Sequence, residues 1–147
     1  MPTLQTSVVI AAPVEAVFAF HERDDALALL SPPFPPLRVV SRRGGIRPGG
    51  RVDLRIGPVR WLAAHTDYVP NQLFVDEQLE GPFASWVHRH EFEAVGARTR
   101  LTDHVTFTLP GGRVVNAVLG PLVALSLWPM FWYRHRVTRQ WCEPTAR

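Results

Sequence analysis

Residues 74–83 read FVDEQLEGPF, residues 84–92 read ASWVHRHEF and residues 99–103 read TRLTD, and the fold turns on how these three pieces alternate. Successive side chains of a strand point to opposite faces. Trp86, His88, His90 and Phe92 therefore share one face, and Ser85, Val87, Arg89, Glu91 and Glu93 share the other. The second set is mostly charged and belongs in solvent, which puts two histidines inside between two aromatics. On the following strand Leu101, Asp103, Val105, Phe107 and Leu109 form the inner set against Thr102, His104, Thr106 and Thr108. An aspartate points inward as well. On the preceding strand Phe74, Asp76 and Gln78 oppose Val75 and Glu77. A domain that buries ionisable groups either pairs them or leaves room beside them for water or a ligand.

Upstream, the same period-two pattern recurs. Val52, Leu54 and Ile56 alternate with Arg51, Asp53 and Arg55, after the turn chemistry of Gly44-Gly45 and Pro48-Gly49-Gly50. Gly57-Pro58 reverses the chain into a strand over 59–69. Its two faces are Trp61, Ala63, His65 and Asp67 against Leu62, Ala64, Thr66 and Tyr68. The Trp61 face is taken as inner, because Arg60 is more comfortable outside. A short strand over 37–41 precedes these, and another over 3–10 opens the chain. Between them, Pro13 suits the first turn of a helix carrying Val14, Val17, Phe18 and His21 at helical spacing. Asp24 and Asp25 are placed to cap a second short helix with Leu27 and Leu30 on its buried side. The proline cluster over 31–36 ends that helix and reads as a stiff loop.

Downstream, Pro110-Gly111-Gly112 stops the sheet, and residues 113–141 read as one long final helix, bent near Pro121 and Pro129. From Val114 to Tyr133 it carries no charged residue, a span long enough to cross a bilayer. Burial within the domain is the preferred reading, because a sheet with one apolar face needs a cover and Gly120-Pro121 and Trp128-Pro129 weaken a spanning helix. The aromatic end, Trp128, Phe131, Trp132 and Tyr133, is the expected place for contact with a membrane surface or a second copy of the chain.

At 147 residues, 46% hydrophobic and 20% charged, the chain has the material for one core and one domain. The net charge of +3 comes from 16 basic residues, all arginine and spread along the chain, with no aromatics interleaved in the Arg42-Arg43 pair. Nucleic acid is not an expected partner. One cysteine, Cys142, excludes an internal disulfide. The apolar run over 8–20 is interrupted by Pro13 and Glu15 and has no basic residue before it, unlike a secretory signal. A cytoplasmic location is expected.

One strand, two short helices, an antiparallel run of six strands and a long C-terminal helix is the element order of the helix-grip fold, of the α+β class. The sequence resembles the START-like, Bet v 1-like superfamily, whose bacterial members are often named polyketide cyclase/dehydrase or SRPBCC proteins. The resemblance covers essentially the whole chain as one domain, 1–147. It is sharpest in Phe74-x-Asp-x-Gln-x-x-Gly-Pro-Phe-x-x-Trp-x-His-x-His-x-Phe, followed by Thr99-x-Leu-Thr-Asp and Leu109-Pro. That run is similar to the ligand-binding branch that also occurs fused behind nucleotide-sugar-epimerase-like domains in proteins labelled as cell-division inhibitors. No Gly-rich dinucleotide fingerprint follows a strand here, so a stand-alone copy is expected. The resemblance implies a seven-stranded curved antiparallel sheet wrapped around the C-terminal helix, with a deep cavity for a lipid, a polyketide or another bulky apolar molecule.

Fold alone does not settle function, so the inner-face residues carry the question. As a binding cavity, Trp61, Phe74, Trp86, Phe92 and Phe107 supply apolar wall, and His65, Asp76, Gln78, His88, His90 and Asp103 supply oriented polar groups. The same polar residues can instead satisfy one another, His88 with Asp103 above all. His88-x-His90 places two imidazoles about 7 Å apart on one face, where Asp103 or Asp76 can complete a metal set. No cysteine or further histidine completes a tetrahedron, and neither a metal nor a cofactor is assigned. A cyclase or dehydratase needs a base and an oxygen-stabilising donor, roles that His88 oriented by Asp103, and His90 or Trp86, can fill. Nothing in the sequence resembles a Ser-His-Asp hydrolase or a phosphate loop. The expected function is binding of a hydrophobic or amphipathic small molecule between sheet and final helix. Catalysis on that molecule, or interaction through the aromatic helix, are the alternatives.

Overall fold

Alternation of apolar and polar side chains, broken by glycine and proline turns, produces seven strands. A computed structural model of the chain describes residues 2–144. Strand β1 (Thr3–Ile10) is followed by helices α1 (Val14–His21) and α2 (Ala26–Leu30). Strands β2 (Leu37–Arg43), β3 (Arg51–Ile56), β4 (Val59–Val69), β5 (Leu73–Glu80), β6 (Ser85–Val95) and β7 (Arg98–Thr108) then lead into helix α3 (Gly112–Cys142). The sheet is antiparallel throughout in the order β1-β7-β6-β5-β4-β3-β2. Among the described residues only the β1–β7 pairing is non-local, and α1 and α2 lie on the connection from the β1 edge of the sheet to its β2 edge. The result is the expected curved sheet gripping a long C-terminal helix.

Register aligns the polar inner-face residues. His90 lies opposite Asp103 on β7, while His88 lies opposite Asp76 on β5, and Asp76 in turn opposite His65 on β4. The β2–β3 loop folds back to hold His65, whose backbone N–H donates to Gly50 and whose carbonyl accepts from Gly49. Gly50 has no room for a Cβ beside the Gly45 carbonyl, which is why that close return demands glycine.

Three apolar clusters pack the inner face. Ile10, Val17, Phe18, Phe74, Phe92 and Leu101 join α1 to the sheet. Leu4, Trp86, Val105, Phe107 and Phe131 join α3 to it. Phe20, Leu30 and Val137 tie the three helices together.

The structure corrects three sequence expectations. Asp25 precedes α2 but makes no capping bond, because its carboxylate pairs with Arg23 at 2.8 Å. In β4 the inner face is Trp61, Ala63 and His65, but Asp67 leaves it. A bulge between His65 and Asp67 shifts the register, so Tyr68 rather than Asp67 turns in against Phe18. The largest correction concerns α3. Its most apolar 18-residue window is only 11% buried, because the helix is apolar on all sides while the sheet offers it a single face. Val123, Ala124, Leu127 and Met130 turn toward the domain, and Val114, Val118, Leu122 and Leu125 stay exposed. By length and composition α3 is also long and apolar enough to cross a membrane.

Candidate functional site

A cavity of about 630 Å³ lies between the inner face of the sheet and the helices, within the range that encloses a drug-sized ligand. Its floor comes from β3 to β6, including Val52, Leu54, Trp61, Ala63, Phe74 and Trp86. Its roof is the stripe of α3 carrying Leu127, Met130, Tyr133 and Arg134. Leu30 of α2 and the loop residues Pro32, Phe34 and Pro35 form a third side. Phe34 is 83% exposed there, a large apolar side chain held at the surface beside the cavity. The proline loop, read from sequence only as a stiff connector, is thus part of the wall.

The polar end is built on β5, β6 and β7. Asp103 is buried behind the wall, where His88 Nε2 donates to its Oδ1 at 2.7 Å and His135 Nε2 donates to its Oδ2 at 2.7 Å. His90 Nε2 donates to Asp76 Oδ2 at 2.8 Å, and its Nδ1 stands 3.4 Å from Asp103 Oδ1. The two imidazoles of β6 stack with ring centroids 3.7 Å apart, and Phe74 stacks on the other side of His90 at 3.9 Å. Carboxylates only accept, so each histidine nitrogen facing one carries the proton. His90 has a carboxylate at both nitrogens, which makes it the member of the cluster best placed to hold a second proton.

The charge states agree with this geometry. Burial raises the proton affinity of Asp103, but the hydrogen bonds from His135, His88 and His90 outweigh it and hold the carboxyl well below its usual range. Asp76 is pushed up by burial and pulled down more by His90 and the neighbouring histidines, to about 2. Burial lowers His90, and its hydrogen bonds to Asp103 and Asp76 reverse that and raise it. His88 is lowered, first by burial and then by the charge of His90, against the pull of Asp103. It is a neutral imidazole with Nε2–H fixed on Asp103, leaving the Nδ1 lone pair as its free basic position. His65 is likewise lowered by burial. His21, whose Nδ1 donates to the Val17 carbonyl at 2.8 Å, is pushed down by burial to about 4.

Several residues expected on the wall are elsewhere. Gln78 staples the β5–β6 turn, its Nε2 donating to the Phe83 carbonyl at 2.8 Å and its Oε1 accepting from the Phe83 N–H at 3.2 Å. Phe92 packs against Phe18 and His21, and Phe107 against Trp86 and Phe83, both in solid core. Asp103 is not among the residues lining this cavity and is linked to it through His88 and His90. Trp61, His65, Phe74, Asp76, Trp86, His88 and His90 do converge on the cavity. Sequence reading missed His135, Arg134 and His21. A signal for His135 existed: it follows Phe131 by four residues, so both fall on one face of α3.

Asp76, His88 and His90 bring ligand atoms within 4.8 Å of one another, near enough to share one cation. In the arrangement present, both Nε2 atoms face carboxylates, so a metal here would have to displace the proton of His90 and break its bond to Asp76.

Comparison with known proteins places these features in context. The family described as polyketide cyclase / dehydrase and lipid transport matches residues 10–126. Among solved structures, the chain is similar to part of a nucleoside-diphosphate sugar epimerase from Corynebacterium glutamicum, with 29% identity and a TM-score of 0.77 over 93% of this chain. The chain spans 28% of the length of that protein. It is also similar in fold to the Zhui aromatase/cyclase from Streptomyces sp. R1128, at 15% identity and a TM-score of 0.70 over 94% of this chain and 91% of that one. A START superfamily protein from Mycobacterium smegmatis matches at 16% identity and a TM-score of 0.69, over 96% of this chain and 97% of that one. No curated protein matches the chain.

Proposed function

We propose that this chain, which belongs to the polyketide cyclase/dehydrase and lipid transport family and has the START-like, Bet v 1-like fold, binds one amphipathic small molecule between its sheet and α3. The observation that carries this is the cavity of about 630 Å³, apolar over most of its wall and polar at the His88–His90 end. Burying the apolar part of a ligand there gains about 25 cal/mol for each Å² removed from water, and the histidines orient its polar part. Native mass spectrometry of the purified protein, followed by organic extraction, is expected to find close to one apolar compound per chain. Ala63→Phe, which fills the floor, should be recovered without it. Equal occupancy in the two proteins, or an empty protein that also fails to take up any amphiphile offered, would sink the reading.

The His88–Asp103 bond supports a second role, acid–base chemistry on the bound molecule. A neutral imidazole held by a buried carboxylate, with its other nitrogen free, is a general base ready to take a proton next to a carbonyl. If the extracted compound is turned over, His88→Gln should lower kcat by about 10²–10⁴ while leaving binding within a few-fold. Unchanged kcat would remove His88 as the base, and no turnover of the compound by the wild-type protein would leave binding as the function of the cavity.

The uncovered face of α3 supports a third role, docking on a lipid surface from which an apolar ligand is loaded. Val118, Leu122 and Leu125 lie exposed along it, Trp128 and Trp132 stand at its cavity end, and Arg113 and Arg136 flank it. Apolar and aromatic side chains with flanking arginines suit the interface of an anionic bilayer. Crossing the bilayer with α3 would pull Phe131 and His135 out of the domain, so the docking proposed is peripheral. Co-flotation with phosphatidylglycerol vesicles that Val118→Ser/Leu122→Ser abolishes is the expected result. Self-association in place of flotation would assign the face to a second copy instead.

A further inference from the structure

We infer that the molecule held in this cavity carries an anionic oxygen headgroup, a carboxylate or an enolate, and that Arg134 receives it. This rests on the binding role proposed above and adds the charge of the ligand. Among the described residues, two buried side-chain nitrogens lack any hydrogen-bond partner, Nε of Arg134 and Nδ1 of His65. Both residues line the same cavity, one on the α3 roof and one on the β4 floor. Two cavity-lining side chains that each keep a nitrogen without such a partner form an arrangement suited to an acceptor brought in by a ligand.

Arg134 forms no hydrogen bond or ion pair with any described residue; its guanidinium carbon stands 5.9 Å from the centre of the Phe131 ring. A ring offers no lone pair to an N–H. Burial lowers its pKa from the ordinary arginine value, while the charges of Asp103 and Asp76 act the other way across space. Guanidinium does not give up its proton in a protein, so its charge is available to a partner from outside the chain. The two carboxylates near enough to matter are already occupied. Both oxygens of Asp103 accept from histidines, and Asp76 is bonded to His90.

Arg134 is half-buried with its Nε out of reach of solvent, and pairing such a donor with a charged acceptor is worth roughly twice a neutral hydrogen bond. The mostly apolar wall keeps the local dielectric low and strengthens the attraction. A carboxylate matches the planar fork of arginine, and an enolised 1,3-dicarbonyl offers the same pair of oxygens. His65 lies on the opposite wall, and a neutral imidazole can place its proton on the unpartnered Nδ1. Arg42, another lining residue, is held only loosely by Asp24 at 3.4 Å and adds positive charge to the wall.

The test compares decanoate, 1-decanol and decylamine by titration calorimetry at pH 7.5 on the full chain. Decanoate is expected to bind at least tenfold more tightly than decanol, with decylamine weakest. Arg134→Met should bring decanoate and decanol within threefold of each other and leave decanol unchanged. Arg134→Lys should keep part of the preference. Loss of an unpaired guanidinium should not lower the melting temperature; if Arg134→Met nonetheless fails to fold, Arg134→Lys and the wild-type ranking decide. Equal affinity for decanol and decanoate, tightest binding of decylamine, or a preference that survives Arg134→Met overturns the charge assignment and leaves the cavity reading in place. Failure of all three probes to bind ends the cavity reading and this inference with it.

Discussion

The two halves of α3 invert what their compositions suggest. From Val114 to Met130 the helix has no charged residue, yet within that stretch only Gly120 is buried. From Phe131 to Cys142 it carries Arg134, His135, Arg136 and Arg139, and here Phe131, His135, Val137 and Thr138 are all buried. Composition measures what a segment tolerates, whereas burial is decided by what lies opposite. The second half lies over the Asp103 carboxylate, the His88 ring and α1 with its Phe20, and these give it both apolar and polar partners. The first half lays one stripe, Val123, Ala124, Leu127 and Met130, on the core and the cavity edge and leaves its other face uncovered by the described residues.

Phe131 gives the largest expected contrast. It is 0% exposed and packs on His88 with ring centroids 5.3 Å apart. Phe131→Ala should cost about 3–5 kcal/mol, measured by urea unfolding. A cost below about 1 kcal/mol would mean that the docked half is held by something other than this packing.

Acid should act on the docked half next. His21, on α1 beneath it, sits at about 4 against an ordinary 6.5, with burial as the main cause. Between those two pH values the unfolded chain binds a proton that the native chain refuses. Stability therefore falls as pH drops from 6.5 to 4, by about 3 kcal/mol from this group. His90 works in the opposite sense: its raised pKa gives stability that is present below 6.5 and lost as pH climbs through the raised value. Asp76 enters only lower down, its contribution vanishing as pH falls from 3.8 through about 2. His21→Phe should therefore flatten the limb between pH 6.5 and 4 relative to wild type. An identical slope in both proteins would remove His21 as its source.

How far the sequence alone could foresee this varies with the physics involved. Strands were legible because alternation is a property of each strand by itself, and the inward placement of His88, His90, Asp76 and Asp103 follows from it directly. The face of β4 was legible only to His65, since the bulge beyond it depends on pairing with β5. Gln78, Phe92 and Phe107 point inward as alternation requires, but inward includes solid core and turn staples as well as cavity. Arg134 and His135 looked like the charged flank of an apolar segment. The bond of His135 to Asp103 and the place of Arg134 on the cavity wall arise from long-range packing of α3 over the sheet, which no local pattern encodes.

His135 sharpens the contrast at smaller magnitude. His135→Leu removes one of three histidines from Asp103 and leaves the Oδ2 oxygen without its 2.7 Å partner. The expected cost is about 1–3 kcal/mol, less than for Phe131→Ala because His88 and His90 still hold the carboxylate. Asp103→Asn in that background should then cost less than it does alone, since two of the three donors remain to be disappointed instead of three. Strict additivity of the two changes would show that the histidines do not share the carboxylate as a unit.

Leu122 is the weakest perturbation and the most discriminating one. At 59% exposure it contributes little apolar burial to the native state, so Leu122→Ser should change unfolding free energy by no more than about 0.5 kcal/mol. The same substitution removes one of the largest apolar contributions to the uncovered face, so it should weaken co-flotation with anionic vesicles while stability is unmoved. A residue that matters to the fold must show in unfolding, and one that matters only to a surface must show only in docking. If Leu122→Ser destabilises the chain as strongly as His135→Leu, the first half of α3 is covered in solution by a second copy, and unfolding should then depend on protein concentration. If it changes neither readout, the apolar character of this half serves the cavity stripe of Leu127 and Met130 alone.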